Sequence, residues 1–284
     1  MKRFLFLPVL VASLAVSAVA PAGAQLVYTA PNSTGLFAGV NAGNTTGTGT
    51  ENTGVGYGSL YGLTTGFWNT AVGSYSLTSV TSGVSNSAVG SSAMANMQGG
   101  ARNTAMGGAA LSGSADSSDN AAFGYHALST LHTGGDSLDT AVGYHSLHSL
   151  YEGSGNTALG GYSGEPMTYG FNNTFLGYNS GTSAGTPSTS GLVNATAVGY
   201  NSHVATSNSL VLGGTGTDAV KVGIGTTSPT KPLDIEGSTI RVRQDRTPAS
   251  SSEACLKGEI AWDGSYLYVC VATDTWKRSA LASF

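Results

Sequence analysis

A five-residue phrase of the form Asn-Thr-Ala-Val-Gly recurs along most of the chain, and its spacing strongly constrains the fold. Five copies follow one another at intervals of 17 residues and begin at Asn52, Asn69, Asn86, Asn103 and Asn120. Four more, after steps of 19, 17, 17 and 22 residues, begin at Asp139, Asn156, Asn173 and Ala195. Short repeats at a nearly fixed period are typical of stacked structural units, none of which can bury its apolar face alone.

The residue types inside each unit favour strands over helices. A glycine closes every copy, and glycine inside a helix costs about 1 kcal/mol relative to alanine. Threonine and valine at the neighbouring positions favour β-structure. We therefore predict an all-β fold: a parallel β-solenoid of about ten short coils, stacked about 4.8 Å apart, followed by a small C-terminal antiparallel β-domain.

Stacking the units places equivalent residues above one another. One predicted apolar column contains Val55, Val72, Val89, Met106, Phe123, Val142, Leu159, Leu176 and Val198. A second contains Leu60, Leu77, Met94, Leu111, Leu128 and Leu147. The asparagines that open the motif are expected to form an amide ladder. The motif alanines are expected to face another backbone, and the glycines three residues before several motifs are expected to make left-handed turns.

Charge is scarce and unevenly distributed. Between residues 25 and 213 the only lysine or arginine is Arg102, against seven acidic residues. Such a segment cannot neutralise phosphates, so a nucleic-acid partner is not expected. The sequence contains no zincin, nucleophile-elbow or phosphate-loop motif. These observations predict that the protein is not an enzyme and carries no cofactor.

The N-terminal residues have the features of an export signal. Lys2 and Arg3 precede an apolar stretch, and Ala22-Gly23-Ala24 forms a small-residue cleavage site. Residues 1–24 are predicted to be a signal peptide, with a membrane anchor as the alternative. The mature chain is then expected outside the cell or at a bacterial cell surface, without a membrane-spanning segment. It divides into a repeat domain (25–213), a junction and linker (214–252) and a β-meander (253–284).

The C-terminal segment contains the two cysteines and several aromatic residues. Cys255 and Cys270 are expected to form a local disulfide, with two buried thiols as the alternative. Trp262, Tyr266 and Trp276 could form an exposed ligand-binding patch or the core of a small domain. The alternation over 240–243 predicts a further strand, and Asp263-Gly264 predicts a type I′ turn.

Two groups of residues could hold metal ions. Asp116, Asp119, Asp136 and Asp139 lie in adjacent coils and could bind Ca²⁺, or could be solvated loop acids. His126 and His145 occupy equivalent positions in neighbouring coils, about 5 Å apart if the coils stack. They could share a metal or titrate as a pair, or could form an exposed polar ladder.

The repeated phrase resembles the head repeats of trimeric autotransporter adhesins. Similar Asn-Thr-Ala-Val-Gly-Tyr units occur in phage tail-fibre-like proteins. The resemblance implies a left-handed β-roll and a homotrimer of chains packed side by side, although the 17-residue period is longer than that of adhesin heads. No membrane-anchor barrel or coiled-coil stalk is recognisable.

Three functions are compatible with these features. The first is an exported, adhesin-like surface protein that binds host matrix or surface glycans through many weak contacts. The alternative is a phage-derived, tail-fibre-like module that binds a glycan. The third is an ice-binding solenoid, because a threonine column runs along the repeats, interrupted at Ser87 and Ala121.

Overall fold

The computed structural model describes residues 27–28, 34–44, 46–132, 135–183 and 191–283. The predicted signal peptide lies outside these residues. The chain forms two compact units, one ending at Val220 and the other covering Lys221–Phe284. In the described ranges the one helical element is a 3₁₀ turn, Gly216–Asp218, and no helix could cross a bilayer.

The first unit is a parallel β-solenoid, as predicted. Its long sheet takes one short strand from each coil, and neighbouring strands pair in register, with Ala71 beside Ala88 and Ala141 beside Ala158. The strands are Val27–Tyr28, Leu36–Ala38, Thr53–Val55, Thr70–Val72, Ser87–Val89, Thr104–Met106, Ala121–Phe123, Thr140–Val142, Thr157–Leu159, Thr174–Leu176, Thr196–Val198 and Leu210–Leu212. All pairs are parallel except the first.

Shorter sheets form on the other sides of the coils. One contains Glu152–Ser154, Tyr169–Phe171 and Leu192–Val193. Two others pair Ser117–Ser118 with Gly135–Asp136 and Gly181–Thr182 with His203–Val204. Each coil therefore contacts its neighbours on more than one side, which fixes its register.

The core of the solenoid is a narrow stack of small and medium side chains. The predicted leucine and methionine column is confirmed: each member from Leu60 to Leu147 is fully buried. The motif alanines from Ala71 to Ala197 are also buried and belong to the same cluster. These alanines point inward and pack with the leucine column, which accounts for their small size.

The prediction that the motif valines form a core column is wrong. Val72 and Val89 are each 37% exposed, and Met106 and Leu159 are each 47% exposed. Side chains alternate across a strand, so in each three-residue strand the central alanine points inward and both neighbours point outward. The long sheet therefore presents an outer face with a threonine column beside an apolar column.

The asparagine ladder is confirmed and is buried. The amide nitrogen of Asn69 donates to Asn52 Oδ1 at 3.0 Å and to the Gly83 carbonyl at 2.7 Å. Asn86 and Asn103 repeat this pattern. Each amide thus satisfies buried groups in two neighbouring coils, which stabilises the stack because unpaired buried polar groups are costly.

The glycines three residues before the motif play a different role from the one predicted. Gly66 has no positive φ; the left-handed corner lies two residues later, at Trp68 with φ +60°. A Cβ at Gly66 would lie 2.4 Å from the Gly83 carbonyl oxygen. Glycine is therefore required here by the close approach of the next coil.

In two places along the stack, a phenylalanine replaces the motif alanine and a nearby glycine replaces the leucine. Phe175 stands at the alanine position and is fully buried, while Gly164 stands at the leucine position of the preceding coil. A Cβ at Gly164 would lie 2.9 Å from the Phe175 ring. Phe37 and Gly43 form the same combination near the other end. The total core volume is thereby kept nearly constant, which tight packing requires.

The second unit contains two small sheets. Val222–Ile224 pairs in parallel with Leu233–Ile235, and Ile260–Trp262, Tyr266–Ala272 and Thr275–Ala280 form an antiparallel meander. Cys255 and Cys270 are joined by a disulfide, which packs with Tyr268 and Trp276. Residues 240–243 form no strand, contrary to prediction. These residues pair with no other strand among the described residues, so the alternation of apolar and basic side chains did not by itself indicate a strand.

The tight turn of the meander also differs from prediction. Neither Asp263 nor Gly264 has a positive φ, so a type I′ turn is not formed. Instead the Asp263 carboxylate accepts the backbone N–H groups of Ser265 and Tyr266, each at 2.8 Å, and the Tyr268 hydroxyl at 2.6 Å. These hydrogen bonds, the Tyr268 one first, hold the pKa of Asp263 well below its usual range.

Candidate functional site

Five tyrosines in consecutive coils form an exposed row, which we call the aromatic strip. Its members are Tyr125, Tyr144, Tyr162, Tyr178 and Tyr200. Successive ring centroids lie 5.7, 5.2, 5.7 and 5.9 Å apart. Four of these residues are about half exposed, from 47% at Tyr144 to 56% at Tyr200, and Tyr162 is half-buried. The coil stacking thus creates a continuous aromatic surface.

A group of imidazoles and one carboxylate lies against this strip; we call it the histidine cluster. His126 and His145 follow Tyr125 and Tyr144, and their ring centroids lie 5.4 Å apart. His148 stacks on His145 at 4.5 Å, with an interplanar angle of 11°. Glu165 Oε1 lies 3.5 Å from His145 Nδ1. The cluster therefore spans three coils.

Burial and mutual repulsion lower the pKa of two histidines of the cluster, His126 and His148. Burial lowers the pKa of His126, and repulsion from His145 lowers it further. Burial also lowers the pKa of His148, with His145 and His126 adding to the effect and Glu165 opposing it. Burial and the neighbours Tyr144, Tyr178 and Glu165 raise the pKa of Tyr162. Several titratable groups are thus crowded at one place on the strip, which is common at functional sites.

The three candidate calcium ligands whose side chains the structure describes, Asp116, Asp119 and Asp139, form no common ligand group. Asp139 is fully buried within the asparagine ladder, and Asp119 pairs with Arg102 through two contacts of 2.6 Å. Asp116 is exposed, and the side chain of Asp136 lies outside the described residues. Within the described ranges, the one group of three or more candidate metal ligands is His145, His148 and Glu165.

The C-terminal aromatic residues serve mainly as a core. Trp276 is 4% exposed and packs beside the disulfide, and Arg246 lies 5.3 Å from its ring. Trp262 and Tyr266 are half-buried, and Arg278 lies 4.1 Å over the Tyr266 ring. They do not form an open stacking surface comparable with the aromatic strip.

Comparison with known proteins gives one informative similarity. No family profile and no solved structure matches the chain. The chain is 48% identical over 56 residues to depolymerase 1, capsule K30/K69-specific, of Klebsiella phage K5-2. The matching stretch covers 20% of this chain and 7% of the phage protein. The similarity therefore concerns a small part of a much longer relative.

This similarity changes two of the expectations from the sequence. It connects the chain with a phage protein, in agreement with the tail-fibre-like resemblance, whereas the adhesin resemblance receives no such support. It also contradicts the prediction that the chain is not an enzyme, because the relative is a depolymerase. The motifs considered above describe sites within one continuous segment, and they do not cover a site assembled from separate coils.

Sequence reasoning missed the aromatic strip and two members of the histidine cluster. Tyr162 stands six residues after its motif start, whereas Tyr144 and Tyr178 stand five residues after theirs, so the tyrosines do not align as one column. A signal for the cluster was present: His148 and Glu165 each lie nine residues after the start of consecutive motifs. In-register stacking places such residues side by side.

Proposed function

We propose that this chain is a fibre-like module that binds an extracellular polysaccharide along the aromatic strip. The observation that carries the proposal is the unbroken row of five tyrosines at spacings of 5.2 to 5.9 Å, four of them exposed and Tyr162 half-buried. The C–H face of a sugar ring is apolar and packs on an aromatic face, while its hydroxyls remain hydrated. The similarity to a capsule-specific depolymerase supports a capsular polysaccharide as the ligand class.

A repeating ligand suits a repeating surface. Pairs of aromatic rings contribute about 0.5–1.5 kcal/mol beyond their buried area, and we expect a sugar–tyrosine contact to be of similar size, so one sugar alone would bind weakly. A polymer that engages several rings at once gains affinity because the later contacts form within the same complex. The proposal therefore predicts stronger binding of long chains than of short oligosaccharides.

The test compares binding of purified K30 and K69 capsular polysaccharides, together with a glycan array, to wild-type and variant protein. Substituting Tyr144, Tyr162 and Tyr178 by alanine together should weaken binding by more than about tenfold, because three stacking contacts are lost. Affinity is measured by biolayer interferometry with the polysaccharide immobilised.

Tyr61→Ala is the matched control, because Tyr61 is 59% exposed but lies outside the strip. It should bind as the wild type does. Equal binding by the triple variant, or no binding of any polysaccharide by the wild type, would contradict the proposal. Circular dichroism checks that the variants keep the β-solenoid.

Polysaccharide cleavage is a second candidate function. The observation that favours it is the position of Glu165 and His145 beside the strip, since carboxylates and imidazoles are the usual general acids and bases. The similarity to a depolymerase points the same way. Incubation with polysaccharide, followed by size-exclusion chromatography, distinguishes cleavage from binding alone.

We also propose that three chains associate through the outer face of the long sheet. This face carries an apolar column of exposed side chains, including Met106, Leu159 and Leu176. Charged residues are absent from the described positions of this column and of the threonine column beside it. Soluble monomers rarely expose apolar patches of such length, and the resemblance to trimeric repeats suggests other copies of the chain as its cover.

Light scattering tests the association. The wild type should have three times the mass of one chain. The double variant Leu159→Asp with Leu176→Asp should be a monomer, because association through this face would bury carboxylates that have no partner. Leu138→Asp is the control, since Leu138 is 59% exposed and precedes the motif rather than lying in the column. A single-chain mass for the wild type at every concentration would refute the trimer.

Export from the cell forms part of the same proposal. An extracellular polysaccharide is accessible only to an exported or released protein, and the N-terminal residues predict export. The adhesin hypothesis is less favoured because the similarity found is to a phage depolymerase, and the ice-binding hypothesis is less favoured because it does not account for the aromatic strip. Detection of the mature chain in the medium or on the cell surface would support this placement, whereas a cytoplasmic location would oppose it.

A further inference from the structure

We propose that His145, His148 and Glu165 form a binding site for a transition-metal dication of the Zn²⁺ type. One ligand atom from each of the three side chains lies within 4.8 Å of the other two. The inference goes beyond the proposed polysaccharide binding and does not depend on it, although the site adjoins the aromatic strip.

The geometry between His145 and Glu165 suits a shared metal better than a direct hydrogen bond. Nδ1 and Oε1 lie 3.5 Å apart, beyond the range of a good hydrogen bond. Two ligands about 2.1 Å from a tetrahedral zinc ion are about 3.4 Å apart. His145 Nδ1 is moreover shielded from solvent, and within the described residues it has no hydrogen-bond partner. A metal ion would satisfy this nitrogen.

The fold positions the remaining ligand. His148 follows His145 by three residues in the same coil, and the two rings stack with centroids 4.5 Å apart. Because a metal ion lies in the plane of each imidazole that binds it, one ring must rotate about its Cβ–Cγ bond before both nitrogens reach the same ion. Glu165 occupies the position equivalent to His148 in the next coil, so the in-register stacking brings the two together. All three side chains are half-buried, which leaves them partly open to solvent, and side-chain rotamer changes of this kind are fast.

The ligand types specify the class of metal. Imidazole nitrogens suit zinc, copper and nickel, whereas Ca²⁺ and Mg²⁺ prefer oxygen ligands throughout. Two histidines and one glutamate leave a fourth position open, as in zinc sites that keep a bound water. The partial exposure of His145 and Glu165, 21% and 33%, allows solvent to reach such a position.

Zinc binding to untagged protein, measured by equilibrium dialysis with elemental analysis, tests the proposal without any polysaccharide. The wild type should bind one zinc ion per chain. His148→Ala and the isosteric Glu165→Gln should each weaken binding by at least about tenfold, because a three-ligand site loses one ligand. Co²⁺ substitution should give the visible absorption of a low-coordinate site, which both variants should lose.

His132→Ala is the matched control, because His132 is exposed and stacks on Tyr151 away from the cluster. It should retain wild-type zinc affinity. Less than one zinc per chain in the wild type, or unchanged affinity in Glu165→Gln, would overturn the proposal. So would an equal loss in His132→Ala. Since no sugar is present, this outcome is distinguishable from a failure of the proposed polysaccharide binding.

Discussion

Replacing Asp139 with asparagine should stabilise the solenoid at pH 7 by about 3 kcal/mol. Asp139 is the one acidic member of the described asparagine ladder, and it is fully buried. Its Oδ1 accepts the backbone and side-chain N–H groups of Asn156 at 2.8 and 2.9 Å. Its Oδ2 has no hydrogen-bond partner in the described structure. An amide nitrogen at that position could donate, as the other ladder asparagines do.

The same substitution should remove a pH dependence of stability. Burial raises the pKa of Asp139 from 3.8 to about 6, against the opposing effect of the Asn156 hydrogen bonds. The folded state therefore holds its proton more tightly than the unfolded state does. The resulting stabilisation is fully present below about pH 4 and is lost as the pH rises through 6. Wild-type stability should fall over this interval, and that of Asp139→Asn should not.

Urea denaturation of both proteins between pH 4 and pH 8 measures this effect. Asp116→Asn serves as the control, because it makes the same chemical change at an exposed position. Its free energy of unfolding should stay within about 0.5 kcal/mol of the wild type. A lower stability of Asp139→Asn at pH 7, or an unchanged pH profile, would show that the buried carboxylate is not the cause.

Replacing Gly160 with alanine should destabilise the solenoid by about 4 kcal/mol or prevent folding. Gly160 follows the strand Thr157–Leu159 with φ +138°, and an added Cβ would lie 2.4 Å from the Gly177 carbonyl oxygen. The positive φ costs about 1–2 kcal/mol, and overpacking against a fixed backbone typically costs 1–3 kcal/mol. The neighbouring coil cannot move away without breaking its own strand pairing.

Gly216→Ala tests a positive φ without the close contact, at a φ that L-residues tolerate better than that of Gly160. Gly216 also has a positive φ, +63°, but an added Cβ there would meet no atom within 4 Å. This variant should lose about 1 kcal/mol. The measurement is the midpoint of thermal unfolding. If Gly160→Ala loses no more than Gly216→Ala, the close approach between coils is not what demands glycine.

The repeat made the stacking predictable, but not the direction of each side chain. Asn69 and Leu77 were assigned correctly, because a buried amide ladder and a leucine column both follow from the period alone. Val72 was assigned wrongly to the core, since Ala71 and Val72 are both apolar and a three-residue strand gives too short an alternation to fix its inward side. The coil interior is already filled by the leucine column, so only a small residue fits opposite it.

The candidate site was less predictable than the core because its residues lie in the turns between strands. Tyr144 and Tyr162 occupy different positions relative to their motifs, and their rings approach because side chains of one coil lean toward the next. Glu165 meets His145 across a coil boundary. Such contacts depend on the backbone geometry of the turns between strands, which cannot be predicted from the spacing of the motifs.

The in-register pairing of equivalent strands also gives the molecule a unit of length variation. Loss or duplication of one complete 17-residue coil would leave every ladder aligned, because each strand pairs with equivalent partners above and below. The steps of 19 and 22 residues show that extra residues are accepted between motifs. Recombination between copies could therefore lengthen or shorten the solenoid without changing its core packing. It could also change the number of tyrosines available to a bound polymer.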